Sequence, residues 1–232
     1  MPGCVPCVDI IAMFPSRRLA ALVVSSVSAA VVCAAAPGGT VHPNSADQAL
    51  AKAAVLHLSD FTPGAGWVAV SPPSGNSGSA ATNASCAAAS SSTGLTETGH
   101  AESAFRTSGF YVESWATVLQ TPAMVQLDWR RSTPQIIGCL RSALRQSLHA
   151  GTTLTSVVAL PFPKVAPLVQ AYRAAVSVSV QGQAVPMIAD MLVYARGRIE
   201  FELLQVSPQS FASEAKTAEQ RIASTLSLRA AA

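Results

Sequence analysis

Val176, Val178 and Val180 alternate with Ser177, Ser179 and Gln181, and Ile199, Phe201 and Leu203 alternate with Glu200 and Glu202. Side chains along a strand point to opposite faces in turn, so this two-residue period specifies strands with one apolar and one wet face. Gly182-Gln183 and Arg196-Gly197 interrupt the alternation with residues suited to tight turns, and Val185 to Tyr194 makes the return between them. The segment predicts a three-stranded antiparallel meander, and the rest of the chain must pack around it.

Two further strands are expected, Thr152 to Leu160 and Phe110 to Leu119, the second carrying Tyr111 and Trp115. Ser45 opens a helix, with Gln48 completing a capping box and Leu50, Ala54 and Leu58 on one stripe ending near Ser59. Asp60 to Trp67 then forms a turn leading to a short strand. Thr121-Pro122 and Thr133-Pro134 each place an N-cap before a proline at the first helical position. The helix after the second carries the stripe Ile137, Leu140, Leu144 and Leu148. Ser207-Pro208 starts a last helix with Phe211, Ala215, Ala218, Ile222 and Leu226 on one side. Pro72 to Thr98 shows no periodicity and reads as a flexible loop over 72–98. The expected fold is α+β: an antiparallel sheet of five or six strands, helices packed on one face, and the C-terminal helix closing it.

Arg17 and Arg18 precede an uncharged apolar run from Leu19 to Ala36, the layout of a secretory signal. Cleavage at Val32-Cys33-Ala34 or Cys33-Ala34-Ala35 leaves a chain beginning near Ala35 or Ala36. Acylation of Cys33 and an uncleaved anchor are the alternatives, and Val32 departs from the Gly or Ala expected before an acylated cysteine. All three place the domain outside the cytoplasm, secreted or attached to the envelope. The organisation is therefore a signal peptide over 1–35 (with Met13 as an alternative start), a tether over 36–44, and one extracytoplasmic domain over 45–229. Two cysteines then remain, Cys86 and Cys139. In an oxidising compartment they form a disulfide closing about fifty residues and contributing roughly 3–4 kcal/mol; two separate thiols are the alternative. Cys4 and Cys7 form a Cys-x-x-Cys pair ahead of or inside the removed segment.

Charged residues make up 12% of the chain against a usual quarter, and the net charge is +3. A charged disordered chain and a nucleic-acid binder built on a basic surface are both excluded. His42, His57, His100 and His149 stand apart with no metal-ligand spacing, and glycine-rich phosphate fingerprints are absent, so no metal and no cofactor is expected. Ser213 and Lys216 match Ser-x-x-Lys without its two companion motifs, which points to chance and a solvent-facing pair. Asp190 interrupts the most apolar strand. It is either a polar anchor in a pocket or a solvent-facing or Arg-paired residue, with Arg173 at a matching parity. The residues expected to line a pocket are Trp115, Met187, Asp190, Met191 and Phe201.

The order of signal, helix, Asp60-Phe61-Thr62-Pro63-Gly64-Ala65-Gly66-Trp67, Cys86, aromatic strand, Cys139-Leu140, meander and closing helix resembles extracytoplasmic domains of actinobacteria. These are the sensor domains of PknH-type receptor kinases and the LpqN-type lipoproteins with a Mog1/PsbP-like sheet, and the likeness covers roughly residues 45–228. It implies a surface-held domain with a cleft for a small molecule, lipid or envelope polymer. Kinase sensor domains carry two disulfides, whereas this chain offers one. The reading that follows is a non-catalytic, ligand-binding or sensor-like envelope domain. Two other readings stand beside it, a secreted hydrolase whose Ser, His and Asp meet only in space and a protein-interaction module.

Overall fold

The computed structural model describes residues 39–72, 93–148 and 151–229. The signal segment, Met13, Cys4, Cys7, Cys33, Cys86 and most of the loop expected over 72–98 lie outside these. The elements are β1 (Thr40–Val41), α1 (Ser45–Ala54), β2 (Val68–Val70), β3 (Thr96–Thr107), β4 (Phe110–Leu119), α2 (Pro122–Ser132), α3 (Ile136–Ser147), β5 (Thr152–Leu160), β6 (Leu168–Val180), β7 (Gln183–Arg196), β8 (Ile199–Pro208) and α4 (Ala212–Arg229). One-turn 3₁₀ segments precede α3 and α4 and follow α1.

The meander forms as its alternation requires. β6, β7 and β8 pair antiparallel, with Arg173 opposite Asp190 and Tyr194 opposite Phe201. The first turn centres on Gln181 and Gly182, whose φ values of 52° and 77° match a two-residue turn of the right twist for a hairpin. The sheet is larger than the expected five or six strands. Among the described residues it has eight, in the order β1-β3-β4-β8-β7-β6-β5, with β2 pairing β3 off that path. The additions are β3, which no apolar alternation announces, and the short β1 laid along it, while β2 is the short strand expected after Trp67. Thr40–Val41 runs parallel to Thr96–Glu97, so part of the segment read as a tether, and the end of the segment read as a loop, belong to the sheet.

Helices cover both faces, which corrects the expectation of one covered face. On the front face Leu140 and Leu144 of α3 pack on Tyr111, Trp115, Tyr172, Met187, Met191 and Leu204. Beside them Val125 of α2 packs with Leu95, Leu119 and Ala195. On the back face Ala51 and Ala54 of α1 and Ile222, Ala223 and Leu226 of α4 meet Val112, Ala116, Leu192, Phe201 and Leu203. β7 is the signature of this arrangement: residues of both parities, from Met187 to Leu192, are buried. A strand covered on both sides has no wet face to show.

Local signals decide some boundaries and not others. Thr121 caps α2 as expected, accepting from the Met124 N–H at 3.3 Å, with Pro122 at the first position. At α1 the cap is Asn44 rather than Ser45, accepting from the Asp47 N–H at 2.9 Å, and the helix stops at Ala54. Gln48 does not close a capping box but pairs with the backbone of His100. Thr133 is itself helical, and α3 starts at Ile136 without a side-chain cap. Ser207-Pro208 closes β8, and α4 begins at Ala212.

Candidate functional site

The five residues expected to line one pocket are divided by the sheet. Trp115, Met187 and Met191 are buried on the front face. Phe201 lies on the back face, stacked on Tyr194 with ring centroids 4.7 Å apart and planes at 9°. Asp190, 1% exposed, is also on the back and takes the paired form of its two readings: Arg173 Nε and Nη2 donate to its two carboxylate oxygens at 2.6 and 2.5 Å. A fork of this kind is a strong, directional contact, and it leaves Asp190 committed within the fold.

The chemistry on the front face comes instead from carboxylates. Cross-strand rows there run Ala104–Glu113–Leu204, Glu102–Trp115–Glu202 and His100–Thr117–Glu200 over β3, β4 and β8. Directly opposed side chains in such rows stand roughly 5 Å apart at Cβ. Asp128 of α2 lies over the same region, close enough to repel both Glu200 and Glu202. Five of the chain's twelve acidic residues, Glu102, Glu113, Asp128, Glu200 and Glu202, thus share one face of a protein whose net charge is positive.

The surroundings of Glu113, Asp128, Glu200 and Glu202 favour their protonated forms. Burial pushes Glu113 up to about 7, against the opposing pull of the Tyr111 hydroxyl, which donates to its Oε2 at 2.6 Å, and Glu102 adds repulsion. Burial, then Asp128, push Glu202 up to about 7. Asp128 rises to about 6 by burial despite Arg131, and Glu200 rises well above the usual carboxylate range by burial, then by Asp128 and Glu202. Glu113 is 0% exposed, yet its Oε1 has no hydrogen-bond partner, and neither has Glu200 Oε1. Buried polar atoms left unpaired are uncommon and mark places where something else is bound or stored. No three His, Cys, Asp or Glu among the described residues stand close enough together to hold a metal ion.

The alternation of Glu200 and Glu202 in β8 predicts a solvated face, and the structure lays α2 over it. The usable signal was Glu113, which shares the parity of Tyr111 and Trp115 on a strand that is otherwise core.

A second polar group is sealed under α4. Gln205 lies opposite Asp190, Ser207 lies one row on, and Glu219 descends from α4; all three are at most 3% exposed. Both Glu219 oxygens lack a partner, and burial, then Asp190, push it up to about 8. A cavity of about 190 Å³ opens beside this region, between the segment after α1 and the outer side of α4. The cavity and the perturbed front carboxylates are on opposite faces of the sheet.

Among the described histidines, His100 Nδ1 lies 3.4 Å from Thr117 Oγ1, and the His57 backbone N–H donates to Asp60 at 2.8 Å. His149 lies outside the described residues. Ser213 and Lys216 are both exposed on α4. Cys139 is half-buried on α3 with its sulfur engaged, and Cys86 lies outside the described residues.

No protein-family model matches the chain, and no curated protein matches it in sequence. Among solved structures it is similar to the extracellular domain of PknH from Mycobacterium tuberculosis, at 10% identity and TM-score 0.40, over 80% of this chain and 97% of that one. It is similar also to LpqN, involved in cell envelope biogenesis of the same organism, at 10% identity and TM-score 0.28, over 52% of this chain and 67% of that one. These are members of the two groups that the layout of the sequence resembles. What this chain does is read from its own residues.

Proposed function

We propose that the chain is a non-catalytic, extracytoplasmic binding domain and that its ligand is an extended organic cation of the polyamine kind, received on the front face. The observation that carries this reading is the carboxylate field of Glu102, Glu113, Asp128, Glu200 and Glu202, with Glu113 buried and one of its oxygens unpaired. Carboxylates brought this close repel one another and lose hydration, and a bound cation relieves both costs. They are spread along three strands rather than gathered at one point, which suits several amines on a chain better than one metal ion.

The extracytoplasmic placement rests on Arg17, Arg18 and the apolar run after them. Among the described residues no helix is long and apolar enough to cross a membrane. Release by cleavage near Ala35, with acylation of Cys33 or an uncleaved anchor as the alternatives, and the Cys86–Cys139 disulfide belong to the same proposal, and the engaged sulfur of Cys139 supports the disulfide.

The test is calorimetric titration of spermidine into the protein at pH 7.5, with calcium as a separate arm. Spermidine should bind saturably. The double variant Glu200→Gln, Glu202→Gln, which removes two charge-assisted contacts, should weaken it by about ten- to a hundredfold. Equal binding by the variant, or a response to calcium alone, refutes the polyamine reading.

A further inference from the structure

The back-face cavity shares no residue with the carboxylates of the front face. From its lining we infer that it is a binding site for a short carboxylic acid with a branched alkyl tail. Its floor is apolar and rigid. Leu56 and Ile222 are buried, and Phe61 is clamped by stacking on Trp67 at 4.3 Å and by Phe105 at 5.0 Å. The Leu56 N–H is fixed on Ser114 Oγ at 2.9 Å, so the floor is anchored to β4 through the backbone as well. A floor of this kind is already in place before a ligand arrives, and an alkyl tail laid on it leaves water without ordering the protein further.

The charge left open at the mouth is positive. Arg221 is exposed there, and among the described residues its guanidinium makes no ion pair or hydrogen bond. Asp60 lies in the same lining but is already engaged: the His57 N–H donates to its Oδ2 at 2.8 Å, and it has a further contact beyond that one. Asp60 and Arg221 form no ion pair with each other, so the lining reserves no carboxylate for an ammonium group and keeps the guanidinium for an anion. A guanidinium offers two parallel N–H donors, which match the two oxygens of a carboxylate. Thr62 brings an exposed hydroxyl to the same mouth as a further donor. A carboxylate on Arg221 and an alkyl tail on Leu56, Phe61 and Ile222 together describe a carboxylic acid. The volume, about 190 Å³, equals about six waters at roughly 30 Å³ each, a size that admits an acid of about six to eight heavy atoms and neither a long acyl chain nor a polymer.

The experiment uses three probes followed by NMR shift titration on the protein at pH 7.5: 4-methylpentanoic acid, 4-methyl-1-pentanol, which keeps the tail without the charge, and 3-methylbutylamine, which reverses the charge. The acid should bind saturably and shift resonances of Phe61 and Ile222, with the alcohol and the amine each weaker by about tenfold or more. Arg221→Gln, an exposed position whose loss should leave the melting temperature unchanged, should weaken the acid by about tenfold and leave the alcohol unaffected. Absence of saturable binding of 4-methylpentanoic acid overturns the inference, as does indifference to Arg221→Gln. Equal or tighter binding of the alcohol or the amine also overturns it, because the carboxylate would then contribute nothing. Spermidine binding on the front face is unaffected by this variant in either case, so the two proposals fail separately.

Discussion

Glu219 sits where the apolar stripe of α4 requires a hydrocarbon. It falls four residues after Ala215 and three before Ile222, both buried, and it is itself 1% exposed with neither oxygen paired. A buried carboxyl without partners costs about 1–3 kcal/mol relative to an apolar group of similar shape. Glu219→Met should therefore raise stability by about that amount in a denaturant melt at pH 7.5. Gly99 has the opposite character. It lies at an irregularity of β3 where the start of α1 comes so close that a Cβ would clash with the Asp47 carbonyl and the Gln48 nitrogen. Backbone cannot step aside as a side chain can, so Gly99→Ala should cost about 1–3 kcal/mol in the same melt. Asp47 is fixed there by Arg198, which donates to its two oxygens at 2.6 and 2.9 Å and holds its carboxyl well below the usual range.

At the scale of elements, α3 has its inner side on the sheet and carries Cys139 on a half-buried flank. With the proposed partner Cys86 the bridge closes about fifty residues, and Cys139→Ser should lower stability by roughly 3–4 kcal/mol, measured by thermal melting against the oxidised wild type, with the reduced wild type melting like the variant. The elements that were legible in the sequence are those fixed locally. The meander declares itself by period, and α2 by Thr121 and Pro122, which set cap and first turn within a few residues. β3 was not legible. Its residues are largely Thr, Gly, Ala, Ser, Glu and His, and it is a strand because β4 on one side and β1 and β2 on the other complete its hydrogen bonds. Propensity in strands is mostly packing, and packing is not written in one segment. For the same reason Glu200 and Glu202 read as a wet face, since the α2 helix that covers them is distant in sequence. Asp190 was half-legible: the parity of Arg173 allowed the pair, and only the register made it.

For the whole molecule, the burial of acids on both faces makes stability depend on pH with a definite sign. Glu113 and Glu202 at about 7 and Glu219 at about 8 all stand above the 4.5 of an unburied glutamate, and Asp128 at about 6 stands above 3.8. Between those ordinary values and the raised ones the folded chain binds more protons than the unfolded chain, so its stability falls as pH rises. Melting temperature should be higher at pH 5 than at pH 8, and Glu219→Met should flatten the profile. Below about pH 4 the trend reverses, because Asp47, depressed in the fold, contributes stability that is lost as it is protonated.

The same protons give the most direct test of cation binding. When an amine displaces protons from Glu113, Glu200 and Glu202, the measured heat must vary with the ionisation enthalpy of the buffer. Titrating spermidine at pH 6.5 in phosphate and in imidazole should show net proton release on binding, and the release should shrink in the Glu200→Gln, Glu202→Gln variant. Binding with identical heats in the two buffers, or no binding heat in either, would contradict the account.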